Sequence, residues 1–441
     1  MNLRRVDLEV GLSDEDEEKM PETIVPSGVL SHIGPVDICR RLLRHLKKSS
    51  SARLGTLRVH DWGYDWRLSP QRLSRQLIKF LESLECNRSS TRDSRSGALV
   101  IAHSLGGMIT RHAVNQRPDL FAGVLYAGVP QHCINILGPL RNGDDVLLSS
   151  RVLTAQVNFT IRTSFALLPE DGRCFIDKTT GERYDLDLFD TKTWQVHALS
   201  PCIAACQASV VDEPRKGIIS TLSDSLPSLP FTGKRNSSVP RDASRTAVSS
   251  PAIGDTIDAF DASAKNVDDK TFHGLPPHVQ QDLGPSIGNA SKSSHKESNA
   301  MASTIPLPDA LTYLDRTLKL VRQFKQELAF NPLHQTHDMY PPISVLYSSC
   351  VPTVFAARVD GRDAIKRSDA FDNLAFAAGD GIVLSKSARP PEGYKIVKGG
   401  LVESQRGHIG LLGDLEAVGR CLQAIVDARR RGVGTGKFAK P

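Results

Sequence analysis

Apolar residues recur along the first 130 positions in two alternating periods. Between 35 and 48 the helical spacing of Val36, Ile38, Cys39, Leu42, Leu43 and Leu46 predicts a helix after Pro35. The stretch "TLRVHDW" (56–62) then reads as a strand. Ser69 as N-cap and Pro70 at the first helical position open a second helix, with Leu73, Leu77, Ile78, Phe80, Leu81 and Leu84 on one face. "GALVIAH" (97–103) is nearly continuous in apolar residues, the pattern of a parallel strand covered on both faces. A helix from about Leu105 to Asn115 and the strand "GVLYAGVP" (123–130) follow. Strands alternating with helices predict a right-handed parallel α/β sheet.

The rhythm stops at 131–205, where apolar pieces mix with Gly, Pro and Asp turns, as an inserted cap would. From about 208 to 303 Ser, Pro, Asp and Lys dominate, and only Phe231, Phe260 and Phe272 could anchor a core. Such a segment cannot bury enough apolar surface to offset its ordering entropy, so it is expected to be disordered. Periodicity returns at 309–329 with Leu311, Leu314, Leu318, Val321, Phe324 and Leu328. A strand at "ISVLYSSCVPTV" (343–354), a turn-rich loop and a strand at "YKIVKGGLV" (394–402) come next. A last helix turns Leu412, Leu415, Val418, Leu422 and Ile425 inward. The expected organisation is an acidic segment (1–21), the first part of an α/β core (22–130), a cap (131–207), a disordered insert (208–303), the second part of the core (304–428) and a basic tail (429–441), the two core parts sharing one sheet.

Composition narrows the function classes. The 441 residues carry 55 Lys plus Arg against 49 Asp plus Glu, a net charge of +6, with the signs interspersed. No basic face interleaved with aromatics points to nucleic acid. The eight cysteines are scattered, and only Cys202 and Cys206 lie close, so reduced thiols are expected, with neither a metal site nor a cofactor. "MNLRRVDLEVGLSDEDEEKM" has no apolar core of a signal peptide, and no apolar run approaches 18 residues. An intracellular, cytoplasmic protein touching a membrane at most from one side is expected.

The candidate chemistry centres on "VIAHSLGGM" (100–108), where a strand ends in Ser104. A nucleophile elbow needs small residues two before and two after its serine, and Ala102 and Gly106 supply them. In this fold the partners follow in the order Ser, Asp, His. Asp380 stands on a Gly-flanked turn in "AFAAGDGIVLS", and is favoured over Asp360 and Asp363 because it lies close before the final strand. His408 in "ESQRGHIGLLGD" follows that strand and precedes the last helix, where a loop can bring an imidazole over Ser104. The backbone N–H of Leu105, next after the nucleophile, is the expected oxyanion donor. His103 is expected to point away from Ser104, since neighbours in a chain face opposite ways.

The strings "YDWRLSP" (64–70), "AHSLGG" (102–107), "AGVP" (127–130), "GDGIV" (379–383) and "GHIGLL" (407–412) resemble, in this order, the lecithin:cholesterol acyltransferase family, which includes phospholipid:diacylglycerol acyltransferases, and most closely its fungal branch. The resemblance spans about 22–205 and 305–427. It implies an α/β-hydrolase fold with a cap, Ser104 as nucleophile, Asp380 and His408 as its relay, and transfer of an acyl group from a phospholipid-like ester to a sterol or diacylglycerol hydroxyl. Tyr64, Asp65, Trp66 and Arg67 would buttress the sheet rather than do chemistry. Family members carry an initial strand and a Gly-rich oxyanion loop ahead of the region where this chain begins. The first strands therefore count as missing: the start lies too late, or Gly28 or Gly34 of "IVPSGVLSHIG" stands in, or the protein is impaired, the first being favoured. The same residues would serve a serine lipase or esterase, and a catalytically impaired fold would serve as a binding protein.

Overall fold

The computed structural model describes residues 8–22, 24–33, 35–88, 97–143, 153–204 and 303–436. The expected disorder of 208–303 falls, up to residue 302, outside the described residues, as do Gly34 and the tail beyond 436. Short strands β1 (His32–Ile33) and β2 (Val36–Asp37) form an antiparallel pair ahead of the helix Arg40–Lys47. The central sheet is built from β3 (Ala98–His103), β4 (Phe121–Ala127), β7 (Ile343–Tyr347) and β10 (Ile396–Glu403), all parallel, in the order β10-β7-β4-β3. The pairing of Val124 with Ile343 joins the two halves of the sequence in one sheet, as the resumed periodicity predicts.

Helices cover both faces, which makes this an α/β structure with a parallel central sheet. Strand alternation sorts β4 cleanly. Val124 and Tyr126 join a core with Leu73 and Leu77 of the helix Pro70–Ser83, Met108 and Ile109 of the helix Leu105–Gln116, and Phe324 of the helix Leu307–Glu327. Leu125 and Ala127 face the opposite way, against Val418, Cys421 and Ile425 of the helix Leu415–Arg430. That last helix lies so close that a Cβ on Gly123 would stand 2.2 Å from Ile425 Cγ2. Asp414 caps it by accepting from Ala417 N at 3.1 Å, and accepts from Ser404 Oγ at 2.7 Å, which ties the helix start to the end of β10.

Three expectations change, and the described part of the acidic segment (1–21) is packed onto the rest of the described chain. "TLRVHDW" forms no strand. A strand needs a hydrogen-bonding neighbour, and among the described residues none lies beside it. Among the described residues β3 is an edge of the sheet; Ala102 and Ile101 pack into the cores on its two faces, while Leu99 is 40% exposed. The single strand expected at 343–354 is two, β7 and β8 (Val351–Val359), and the turn-rich loop after it contains β9 (Leu374–Gly379), antiparallel to β8. With β5 (Phe175–Asp177) and β6 (Arg183–Tyr184), from the stretch expected as a cap, β8 and β9 form a second sheet, ordered β6-β5-β8-β9. The acidic segment, finally, is docked. Val10 is buried, its N–H donates to Thr160 Oγ1 at 3.2 Å, and buried Glu17 meets Arg162 Nε at 3.4 Å.

Asp65 and Arg67 act as the structural pair that their sequence setting suggested. Arg67 Nε and Nη2 donate to the two Asp65 oxygens at 2.9 and 2.7 Å, both residues are buried, and the Arg67 carbonyl accepts from Arg162 N at 3.0 Å. A bidentate pair of this kind satisfies two charges that neither could carry alone in the interior. Asp65→Ala leaves the guanidinium uncompensated, so unfolding free energy should fall by about 3–5 kcal/mol. Urea denaturation checks it, and a loss below about 1 kcal/mol would show the pair to be incidental.

Candidate active site

Ser104 stands between β3 and the helix Leu105–Gln116 with φ 53° and ψ −133°, a conformation that L residues adopt only when surroundings impose it. The surroundings are visible. Ser104 N–H donates to Ala127 O at 3.0 Å, continuing the β3–β4 ladder, and Gly107 N–H closes back on Ser104 O at 2.9 Å. A Cβ on Gly107 would lie 2.1 Å from Val129 Cγ2, so the helix start can nest against the end of β4 only with glycine there. On the other flank, a Cβ on Gly106 would lie 3.5 Å from the Tyr64 hydroxyl. The turn pushes the part-buried Ser104 side chain out from the C-terminal end of the sheet.

Asp380 follows β9. The turn that holds it rests on Thr353, whose Oγ1 donates to Val351 O at 3.0 Å and accepts from Gly381 N at 2.9 Å. Gly379 passes so near that a Cβ would be 2.3 Å from that oxygen. The Asp380 carboxylate is buried, with Oδ1 accepting from Ile382 N at 3.0 Å and Val383 N at 2.7 Å. Burial alone would raise its pKa. The adjacent His408 charge and hydrogen bond, with the two amide donors, outweigh that and hold the carboxyl below its ordinary 3.8.

His408 opens the 3-10 turn His408–Gly413 after β10. Its N–H donates to Asp380 O at 2.8 Å, its Nδ1 lies 2.8 Å from Asp380 Oδ2, and its Nε2 lies 2.9 Å from Ser104 Oγ. An ionised carboxylate only accepts, so Nδ1 carries the proton and Nε2 turns a lone pair toward the serine hydroxyl. Gly128 makes room for the pair: at φ 54° it passes where a Cβ would be 3.0 Å from Asp380 Oδ2 and 3.1 Å from His408 Nδ1. The three residues expected from sequence are thus brought together. Exposed Asp360, in an ion pair with Lys178, and exposed Asp363 stay out of the site. As the first helical residue, Leu105 has an N–H without an intrahelical acceptor, which suits it to a developing oxyanion. Gly28 packs on Asp61 and Gly63, beside the Tyr64 that flanks the elbow.

His103 departs from expectation. Its ring lies 4.7 Å from the His408 ring, and Nε2 is 3.0 Å from the His408 carbonyl oxygen. The alternation rule fails because the positive φ of Ser104 turns the chain between the two side chains. Burial first, and the His408 charge second, lower the His103 pKa from 6.5 to about 4. Among the described residues no group of His, Cys, Asp and Glu could hold a metal ion, and no helix is long and apolar enough to cross a membrane.

No family model matches the chain. It is 33% identical over 433 residues, 98% of its length, to the uncharacterized protein YJR098C of Saccharomyces cerevisiae, and spans 58% of that relative. Among solved structures, a chain in the crystal structure of the Tle4-Tli4 complex is similar at 13% identity and a TM-score of 0.41, over 95% of this chain and 76% of that one.

Two outcomes follow from this geometry. Ser104→Gly should be more stable than Ser104→Ala by about 1 kcal/mol, because glycine relieves the φ strain, and calorimetry of the two variants decides it. Unfolded chains protonate His103 near pH 6.5 and the folded protein only near 4, so between these values the unfolded state binds more protons. Acidification across that window should therefore destabilise the wild type relative to His103→Gln. Parallel urea midpoints at pH 7, 5.5 and 4 would exclude it.

Proposed function

We propose that this chain is a serine-dependent acyltransferase of the α/β-hydrolase kind, moving a fatty acyl group from a phospholipid-like ester to a lipid hydroxyl. The observation that carries it is the continuous hydrogen-bonded relay from Asp380 through His408 to Ser104, with Nε2 2.9 Å from Oγ. In the first half-reaction Ser104 Oγ attacks the ester carbonyl while its proton passes to His408 Nε2. The Leu105 N–H stabilises the tetrahedral oxyanion, and the imidazolium returns the proton to the leaving alcohol, here a lysophospholipid. In the second, the acceptor hydroxyl gives its proton to His408, its oxygen attacks the acyl-enzyme, and the proton passes on to Ser104 Oγ as it leaves. Asp380 remains ionised throughout and fixes the imidazole tautomer.

The lipid class comes from the resemblance of "YDWRLSP", "AHSLGG", "GDGIV" and "GHIGLL" to lecithin:cholesterol acyltransferases. Beside the elbow lies Tyr64, and nearby Val25, 79% exposed, suits contact with a lipid surface. The partial exposure of Ser104 favours a second possibility, a lipase or esterase in which water takes the acyl group. A third, an impaired fold kept for binding, predicts that Ser104→Ala changes nothing.

Purified protein supplied with acyl-labelled phospholipid, with and without sterol or diacylglycerol, separates these. Labelled acyl ester on the acceptor is the expected product, and Ser104→Ala should reduce it on the order of a thousandfold or more. Free fatty acid in both reactions would replace transfer by hydrolysis.

A further inference from the structure

His408 is held to Asp380 by two hydrogen bonds: its N–H donates to the Asp380 carbonyl, and its Nδ1–H to the carboxylate. Both hold the base to the β9 turn, and neither refers it to the strand that carries the nucleophile. A further bond does. His103 Nε2 lies 3.0 Å from the His408 carbonyl oxygen, and the two rings sit 4.7 Å apart with planes inclined at 37°. A carbonyl only accepts, so Nε2 of His103 carries a proton and donates it. The donor is the residue immediately before Ser104, at the last position of β3.

We propose that His103 is a positioning residue, holding the backbone of His408 to the nucleophile's own strand so that the Nε2–Oγ distance is set by a closed circuit of bonds. The circuit runs from Ser104 through the peptide to His103, across to the His408 carbonyl, through that residue to Nε2, and back to Oγ. Apart from the His103 bond, the hydrogen bond that joins His408 to Ser104, 304 positions away in sequence, is the Oγ contact that chemistry itself must break. His103 suits the task because its ring stays neutral above pH of about 4, so an imidazolium formed at His408 meets no second cation. Its effect falls on the rate of serine attack rather than on binding, since misplacement of a catalytic group is costly to rate. This role rests on Ser104 acting as nucleophile.

The test uses the full chain and a fluorophosphonate probe, which reports serine attack without knowledge of the natural substrate. His103→Phe keeps an aromatic ring against His408 and removes the donor. Its maximal labelling rate should fall about tenfold or more, with the half-saturating probe concentration unchanged. His103→Gln places an amide N–H within reach of the same carbonyl and should recover most of that rate. A His103→Phe variant that labels like wild type, or a His103→Gln variant no faster than His103→Phe, overturns the role. Should His103→Phe fail to fold, nitrogen-15 histidine spectra of the wild type decide. A neutral His103 with a protected Nε2–H supports the bond, and an Nδ1–H tautomer or a rapidly exchanging proton overturns it. A wild type that the probe does not label removes the serine enzyme and this role together, whereas a labelled wild type beside an unaffected His103→Phe removes this role alone.

Discussion

The site depends on one backbone constraint, the left-handed conformation forced on Ser104 between β3 and the following helix. A serine pays strain energy there, and the chain offsets it locally. The ladder bond to Ala127, the turn bond from Gly107 and the absence of a side chain at 107 let the strand and helix approach closely enough to hold the turn. Gly128, also at positive φ, extends the same economy to the other side of the site, where Asp380 and His408 need the volume a Cβ would fill. Gly107 and Gly128 are therefore steric requirements of one compact site, imposed by Val129 on one side and by Asp380 and His408 on the other.

The second requirement is that residues far apart in sequence meet to within hydrogen-bond distance. Parallel pairing of β3, β4, β7 and β10 puts the C-terminal ends of all four strands at one edge, and Ser104 and His408 both leave the sheet there. Asp380 reaches that edge by another route, through the antiparallel β8–β9 pair, whose last residue, Gly379, precedes it. The bridge between Val351 and Asp380 and the Thr353 hydroxyl fix that turn to the start of β8, directly after β7. Asp380 is therefore registered to the central sheet although it belongs to none of its strands.

The elbow and the order Ser, Asp, His were legible in the sequence because each is a local signal: small residues around a serine after an apolar strand, Asp-Gly at a turn, Gly-His before a helix. The α/β alternation was legible because burial on a sheet imposes its period on nearby residues. What was not legible depends on partners. "TLRVHDW" has strand composition, yet without a neighbouring strand it forms none. The apolar run of β3 suggested two covered faces, and Ala102 and Ile101 do pack on opposite sides, but Leu99 is left partly in solvent. β9 was hidden behind the turn residues between 360 and 373, whose density masked the return of the chain against β8. The aromatic approach of His103 to His408 was missed because side-chain alternation holds only while φ stays negative.

Acyl transfer and hydrolysis share every step up to the acyl-enzyme, so the relay of Asp380, His408 and Ser104 serves both equally. If Ser104 forms the proposed acyl-enzyme, the partition between them would be decided by which hydroxyl His408 Nε2 deprotonates next, and therefore by what surrounds the serine rather than by the relay. Water needs no binding site, whereas a lipid alcohol must be held with its oxygen in line with the acyl carbon and its apolar body out of solvent. Selection for transfer would then act on residues beside the elbow, such as Tyr64, and on whatever would shield the part-exposed Ser104 during the lifetime of an acyl-enzyme. A triad alone can be inherited unchanged by a lipase and a transferase, and the residues that separate the two are those that exclude water.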